Sequence, residues 1–297
     1  MDLKQLRYFT EIVDAGSVRQ ASQSVNISQP ALTVAVQNLE TELGVSLFAR
    51  TGRKLIPTNE GRYFYRHARA LLSQSERLKV DMRALKTLDK AEIKIAAPVM
   101  IASTVLARPI ATFMKQYPGI HIQFVQKGGP EVERALLQGE IDIGFLSRPP
   151  QSADVTAHKI CGSEIKAFVN RQHKLASAHS ISWLDLLEHP IVTLPKDYVL
   201  HQNIKKKAVF YHMESDIVLE SDVLGLILQL ILSNPVVGIL LEGVSDMAPE
   251  LVNLSIHDVK DADQRIEASI FACHLSKIPP SHSAESFLSF LESGLDK

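Results

Sequence analysis

Gln29, Thr33 and Gln37 recur every four residues through SQPALTVAVQNLETEL, Ser28 to Leu43, a stretch with no acid before Glu40. Two amides and a hydroxyl aligned on one helix face are the groups that hydrogen-bond base edges in a major groove. Ser28 is placed to cap such a helix, and Pro30 falls in its first turn, where a missing N–H costs nothing. The free N–H groups of that terminus suit a phosphate. Leu32, Val36, Leu39 and Leu43 repeat on the opposite side, so they are expected to face inward. Ser17 can cap a preceding helix whose Val18, Ala21, Ser22 and Val25 form a narrow inward face of small residues, with a turn at Asn26 and Ile27. The pattern predicts a helix-turn-helix, backed by an amphipathic helix from Asp2 to Ala15 that Gly16 ends.

Other chemistry finds no support. Cys161 and Cys273 cannot make a zinc cluster or a CxxC motif, and the eleven histidines show neither HExxH nor His-x-x-x-His. There is no GxSxG, P-loop or GxGxxG, and Gly128 with Gly129 reads as a turn. No catalytic constellation, metal site or cofactor motif is therefore expected. Hydrophobic residues at 45% and charged residues at 22% are globular proportions. No apolar run is long enough to span a bilayer and no signal peptide is evident, so a cytoplasmic protein without membrane contact is expected. Net charge is −1, but residues 1–90 hold 14 Lys and Arg against 9 Asp and Glu, leaving 18 against 24 for the rest. Arg50, Arg53, Lys54, Arg62, Arg66 and Arg69 cluster near a single acid, Glu60; phosphate contact or a solvated helix end would each explain the last two.

The motifs LRYF (6–9), GS (16–17), SQPAL (28–32), LE.ELG..LF.R (39–50) and T..G (58–61) stand in order over some sixty residues. In these the chain resembles the LysR-type transcriptional regulators. The resemblance implies that Arg50 to Pro57, hairpin-like with Gly52 at its tip, is a wing along the minor groove or backbone, with Arg50 and Arg53 as its contacts. Candidate DNA-binding residues are thus Ser28, Gln29, Pro30, Thr33, Gln37, Arg50 and Arg53. Many family members carry Arg, Gln and Arg or Lys where Val34, Ala35 and Gln37 stand here, which weakens guanine readout and favours adenine edges. The rival reading is a cytosolic binding protein or enzyme that uses its front domain only for assembly, and the basic front end argues against it.

Thr58 is expected to cap a helix running to about Leu88. Positions 64, 68, 71, 75, 78, 82 and 85 read Phe, Ala, Leu, Ser, Leu, Met, Leu, a stripe of 3.5-residue period. A helix lying on its own domain competes, but the length favours a dimerising linker that sets two recognition helices on a two-fold operator. In the family such dimers often pair into tetramers. From Ile93 onward strands and helices alternate, as in α/β folds. The resemblance implies a two-lobed, periplasmic-binding-protein-like effector domain with crossings near Lys159 to Ser163 and Ile266 to Ala272. The expected division is 1–57, an all-α winged helix-turn-helix; 58–90, linker; 91–160 with 267–297, lobe I; and 161–266, lobe II. Both cysteines fall near the crossings, as a redox pair or as inert buried thiols.

Ligands of α/β sheets gather past the carboxyl ends of strands. Four loops qualify: Pro98 to Ile101, Lys127 to Pro130, Ser147 to Arg148 and Thr193 to Pro195. Candidate effector contacts are Pro98, Val99, Met100, Ile101, Gly128, Gly129, Ser147 and Thr193. Where the family commonly offers a Ser or Thr to an inducer carboxylate, Met100 stands here. A more hydrophobic effector is expected, or one held from Ser103, Thr104 or Thr193. Asn234 and Pro235 also replace the glycine-rich turn usual before the following strand.

Overall fold

The computed structural model describes residues 1–51, 54–87, 91–259 and 266–295. The Asp2 carboxylate accepts from the Gln5 amide and the Gln5 side chain from the Asp2 amide, opening α1 (Leu3–Ala15) with a reciprocal cap. α2 (Val18–Ser24) buries Ala21 and Ser22. Ser17 holds the cap position, yet its hydroxyl makes no capping bond. Asn26 then takes a left-handed φ of 55°, and Ile27 donates to the Ser22 carbonyl at 3.1 Å, closing the turn into α3 (Gln29–Leu43). Ile12, Ala21, Leu32 and Val36 pack as one small core, and Phe9, Leu39 and Leu47 as another. Leu43, expected inside, is 36% exposed: α3 ends there on Gly44, whose left-handed φ of 68° turns the chain away.

The wing is a two-stranded antiparallel ribbon, β1 (Phe48–Thr51) with β2 (Lys54–Pro57). Thr58 accepts from the Gly61 amide at 2.9 Å and so caps α4 (Asn59–Thr87), the predicted long helix. These elements belong to one compact unit, 1–91 with 137–140; the remaining residues form a second.

In the second unit β3 (Ala91–Ala97) leads into α5 (Val99–Ile101), a π turn (Ala102–Leu106) and α6 (Ala107–Gln116). β4 (Ile120–Gln126), α7 (Gly129–Leu137) and β5 (Ile143–Leu146) complete the first alternation. β6 (Val155–Val169) crosses to β7 (Ser180–Ser182), α8 (Trp183–Leu186), β8 (Ile191–Thr193), α9 (Val199–Phe210), β9 (Ile217–Glu220), α10 (Leu224–Ser233), β10 (Val237–Leu241), α11 (Val244–Met247) and β11 (Val252–His257). β12 (Glu267–Leu275) returns and α12 (His282–Leu295) follows. Strand order is β4-β3-β5-β12-β6-β10-β8-β9, with β11 pairing β6 and β7. β3 and β5 are parallel, as are β8 with β9 and with β10, while β6 and β12 run antiparallel between the two parallel halves. The expected crossing is therefore one uninterrupted strand: β6 pairs β12 from Val155 to Glu164 and β10 from Ile165 to Phe168. Among the described residues no helix is long and apolar enough to cross a membrane.

The Asn234–Pro235 turn, made without glycine, is held by side chains. Asn170 Nδ2 donates to the carbonyls of Ile231 (3.1 Å) and Asn234 (2.8 Å). His173 bonds the Pro235 carbonyl and its Nδ1 accepts from the Leu175 amide at 3.2 Å. His173 and His189 are both buried, edge to face at 5.3 Å, and burial and the nearby Lys174 charge hold both pKa values below the ordinary 6.5. The unfolded chain therefore takes up protons on these rings from pH 6.5 downward, before the fold does. Stability from this pair should be complete above pH 6.5 and lost as pH falls through the depressed values. Melting temperatures of the full chain between pH 7.5 and pH 5 should show a decline that His189→Phe reduces.

Candidate nucleic-acid interface and effector cleft

Ser28 Oγ accepts from the Ala31 amide at 3.4 Å, and Pro30 sits in the first turn of α3. With Leu32, Val36 and Leu39 buried, Gln29, Pro30 and Gln37 stand exposed and Thr33 half-buried along the other side. The structure thus brings five of the predicted DNA-binding residues onto one accessible surface. Val34 joins them at 53% exposure. Thr33 adds a detail the spacing does not show: its hydroxyl donates to the Gln29 carbonyl at 2.9 Å, so that proton is committed to its own helix.

Glu40, given no role by sequence reasoning, ties this helix to the wing. Its Oε1 accepts from the Leu47 amide at 2.6 Å and the Phe48 amide at 3.1 Å, fixing where β1 leaves α3. Arg53 and Gly52 lie outside the described residues; Arg50 is placed on β1 opposite Leu55. Farther along, the cations have local partners. Arg62 donates to the Pro57 carbonyl at 2.7 Å and Asn59 Oδ1, Arg66 lies over the Tyr63 ring at 5.8 Å, and Arg69 pairs with Asp14 at 3.4 Å. The expected phosphate cluster is to that extent spent on the fold. Tyr65 also donates to Asp14, and burial together with that carboxylate pushes its pKa up to about 12.

In the second unit the loop expected at Pro98 to Ile101 is a helix start: Pro98 is the cap residue, and Val99, Met100 and Ile101 are buried in the first turn. Apolar residues directly after a proline open this helix without the usual hydroxyl or carboxylate cap. Pro98, Met100, Ile101 and Ser147 meet Leu194, Tyr198, Leu200 and Leu241 around a cavity of about 30 Å³, room for roughly one water. Val99 is packed into the core rather than lining it. Gly128 faces the cleft's edge, where an added Cβ would lie 4.0 Å from the Tyr198 ring and from Asp197 Oδ2. Gly129 opens α7 against Leu146. Thr193 is fully buried, its hydroxyl without a hydrogen-bond partner among the described residues, and it does not line the cavity. Thr104 is an unsuitable donor, because its hydroxyl already donates to the Met100 carbonyl at 2.7 Å.

Tyr198, Leu200 and Leu241 carry no local signal of their role; only extending the Thr193 to Pro195 loop three residues would have reached Tyr198. Burial, then the charges of Asp222, Asp197 and Glu131, push the Tyr198 pKa up to about 12, so its hydroxyl stays protonated. The same three carboxylates disfavour an anion beside it.

The cysteines do not meet. Cys161 is opposite Ile270, whereas Cys273 is opposite Ala157, four residues back along β6, or about 13 Å at strand rise. Burial raises both pKa values, that of Cys273 to about 12, which disfavours the thiolate at either position. Among the described residues no group of three or more His, Cys, Asp or Glu could hold a metal ion.

Residues 3–62 match the model for bacterial regulatory helix-turn-helix proteins of the lysR family, and residues 86–296 that for the LysR substrate binding domain. The HTH-type transcriptional regulator YwbI of Bacillus subtilis (strain 168) is 28% identical over 255 residues, 86% of this chain and 85% of that protein. Full-length OxyR from Pseudomonas aeruginosa superposes with a TM-score of 0.72 at 20% identity over 98% of both chains. CbnR in complex with its target DNA gives 0.68 at 20% identity over 99% of both. One model covers the helix-turn-helix and its wing, the other the α/β domain, and the chain belongs to the LysR family of transcription regulators.

Proposed function

We propose that the chain acts as a homodimer, with dimers pairing into tetramers, on double-stranded DNA carrying a two-fold operator. Each α3 enters a major groove, and a small molecule between the effector lobes shifts the balance between arrangements of the assembly. In this reading residues 1–57 bind DNA and 58–90 dimerise. Lobe I, 91–160 with 267–297, and lobe II, 161–266, close on the effector. The outward row of Gln29, Thr33 and Gln37 on a capped helix carries the proposal, because a helix that only filled a core would have no use for it. Gel shifts on duplexes flanking the chain's own gene, with a salt titration, test it: sequence-selective retention supports it, and binding equal for every duplex removes it.

Within that assay Gln29→Ala should lose about tenfold in preference for the operator, since an amide to an adenine edge is worth about 1–3 kcal/mol, while scrambled DNA binds as before. Arg53→Ala should weaken all duplexes alike and lower the salt slope by about one.

For the effector, admitted when the lobes part and this cavity of about 30 Å³ widens, the lining of Pro98, Met100, Ile101, Leu194, Leu200 and Leu241 supports a ligand with an apolar body, and Tyr198 supplies a donor. Pro98, Val99, Met100, Ile101, Gly128, Gly129, Ser147 and Thr193 remain its proposed contacts and positioners. Calorimetry should find neutral apolar ligands bound in preference to dicarboxylates, weakened about tenfold by Met100→Ala. Tight binding of a small dicarboxylate that Met100→Ala leaves unchanged would falsify this.

A further inference from the structure

Val34 is a branched aliphatic side chain, 53% exposed, in the middle of the helix that the family uses to meet DNA. Leu32 and Val36 on either side of it are buried, so the core makes no use of Val34. It lines an open groove with Val18, Gln29, Pro30 and Thr33, which brings the first residue of α2 beside the start of α3. None of these five residues is charged. The side chains of Val18, Pro30 and Val34 offer only hydrocarbon, and Thr33, whose hydroxyl proton is donated to the Gln29 carbonyl at 2.9 Å, offers its methyl and an acceptor oxygen. Gln29 is the one groove side chain that can still donate a proton.

We propose that Val34 is a specificity-determining residue that reads thymine: the slot of Val18, Pro30, Thr33 and Val34 takes the base's 5-methyl group in the major groove. Thymine is the one ordinary DNA base with an apolar group on that edge. Cytosine at the same place would press its N4 amino group toward the hydrocarbon of Val18, Pro30 and Val34, which cannot accept its proton, and guanine would find no cation for O6 and N7. This inference rests on the reading of α3 as the element in the major groove, and it adds which base the exposed valine selects.

The test uses the full chain. Binding duplexes are selected from a random library, and each thymine of the selected duplex is then replaced singly by deoxyuridine, which pairs identically and lacks only the methyl. At one thymine per half-site affinity should fall about fourfold, the worth of one buried methyl-sized group. Val34→Ala should shrink that drop to less than about twofold, while affinity for scrambled DNA and its salt dependence stay unchanged. Alanine favours a helix at this exposed site, so the variant folds. Exchanging the sensitive base for 5-methylcytosine, with guanine opposite, should bind better than plain cytosine there. Specific binding with a flat deoxyuridine scan, or a drop that Val34→Ala leaves intact, overturns this inference and spares the regulator reading. A selection that enriches no sequence overturns both.

Discussion

Gly61→Ala should unfold the DNA-binding unit at a markedly lower temperature, although alanine is ordinarily the better helix residue by about 1 kcal/mol. Gly61 is buried in the first turn of α4, and a Cβ there would stand 2.0 Å from the Leu47 carbonyl oxygen and 3.0 Å from its carbon. That carbonyl has no freedom to withdraw. It accepts from the Thr58 amide at 3.0 Å and the Thr58 hydroxyl at 3.3 Å, while the Leu47 amide is held by Glu40 at 2.6 Å. The Leu47 side chain is itself core, 1% exposed, beside Phe9 and Leu39. Relieving the clash therefore displaces the wing, the cap of α4 and the end of α3 together, at a cost of about 3 kcal/mol or more. Gly225, at the start of α10, is the control: a methyl added there would meet nothing within 4 Å, so alanine should be neutral or stabilising. Thermal unfolding of both variants, followed with operator binding, checks the pair. An unchanged first transition in Gly61→Ala would show that the junction between wing and α4 is not a rigid joint.

The front of the molecule is readable from sequence because its signals are local. Caps at Asp2, Ser28 and Thr58, the left-handed turn at Asn26 and the inward row of Leu32, Val36 and Leu39 each lie within a few residues of the structure they cause. Leu43 departs from its row because the chain turns at Gly44 before a fourth contact forms. In the effector unit the information is distributed. The first part of β6, Val155 to Glu164, is specified by pairing with β12, more than 100 residues later. α9 is obscured by Lys205, Lys206 and Lys207, although Leu200, Ile204 and Ala208 keep a buried four-residue period beneath them. The cleft is harder still, since Met100, Ser147, Tyr198 and Leu241 come from four separate segments and only the sheet order brings them together. The fold class follows from alternation, whereas cleft membership depends on register, which no short window of sequence contains.

Replacing Leu78 and Met82 together by glutamine should halve the size of the assembly and cost operator binding about 100-fold to 10,000-fold, the advantage of two linked half-site contacts. In the proposed dimer the stripe on α4 would serve two purposes along its length. Phe64 packs edge to face on Phe9 at 5.1 Å and Ala68 is 1% exposed, so the first two positions belong to the helix's own domain. Beyond them Leu71 is 43%, Leu78 62% and Met82 58% exposed, at the spacings of a two-helix seam. A helix that merely lay on its own domain would bury these side chains. Covering Leu78 and Met82 in both copies stabilises a dimer by about 1.5–3 kcal/mol for each side chain. Both side chains are more than half exposed in the single chain, so the substitutions remove little intramolecular packing, and helix content and melting of the chain should hold. Sedimentation at micromolar concentration, paired with gel shifts on one half-site and on two, separates the consequences. The double variant should bind one half-site as well as the wild type does and gain nothing from the second. A variant that sediments at the wild-type size, or that keeps its preference for two half-sites, would place the dimer contact elsewhere and leave the outward stripe of α4 without its proposed use.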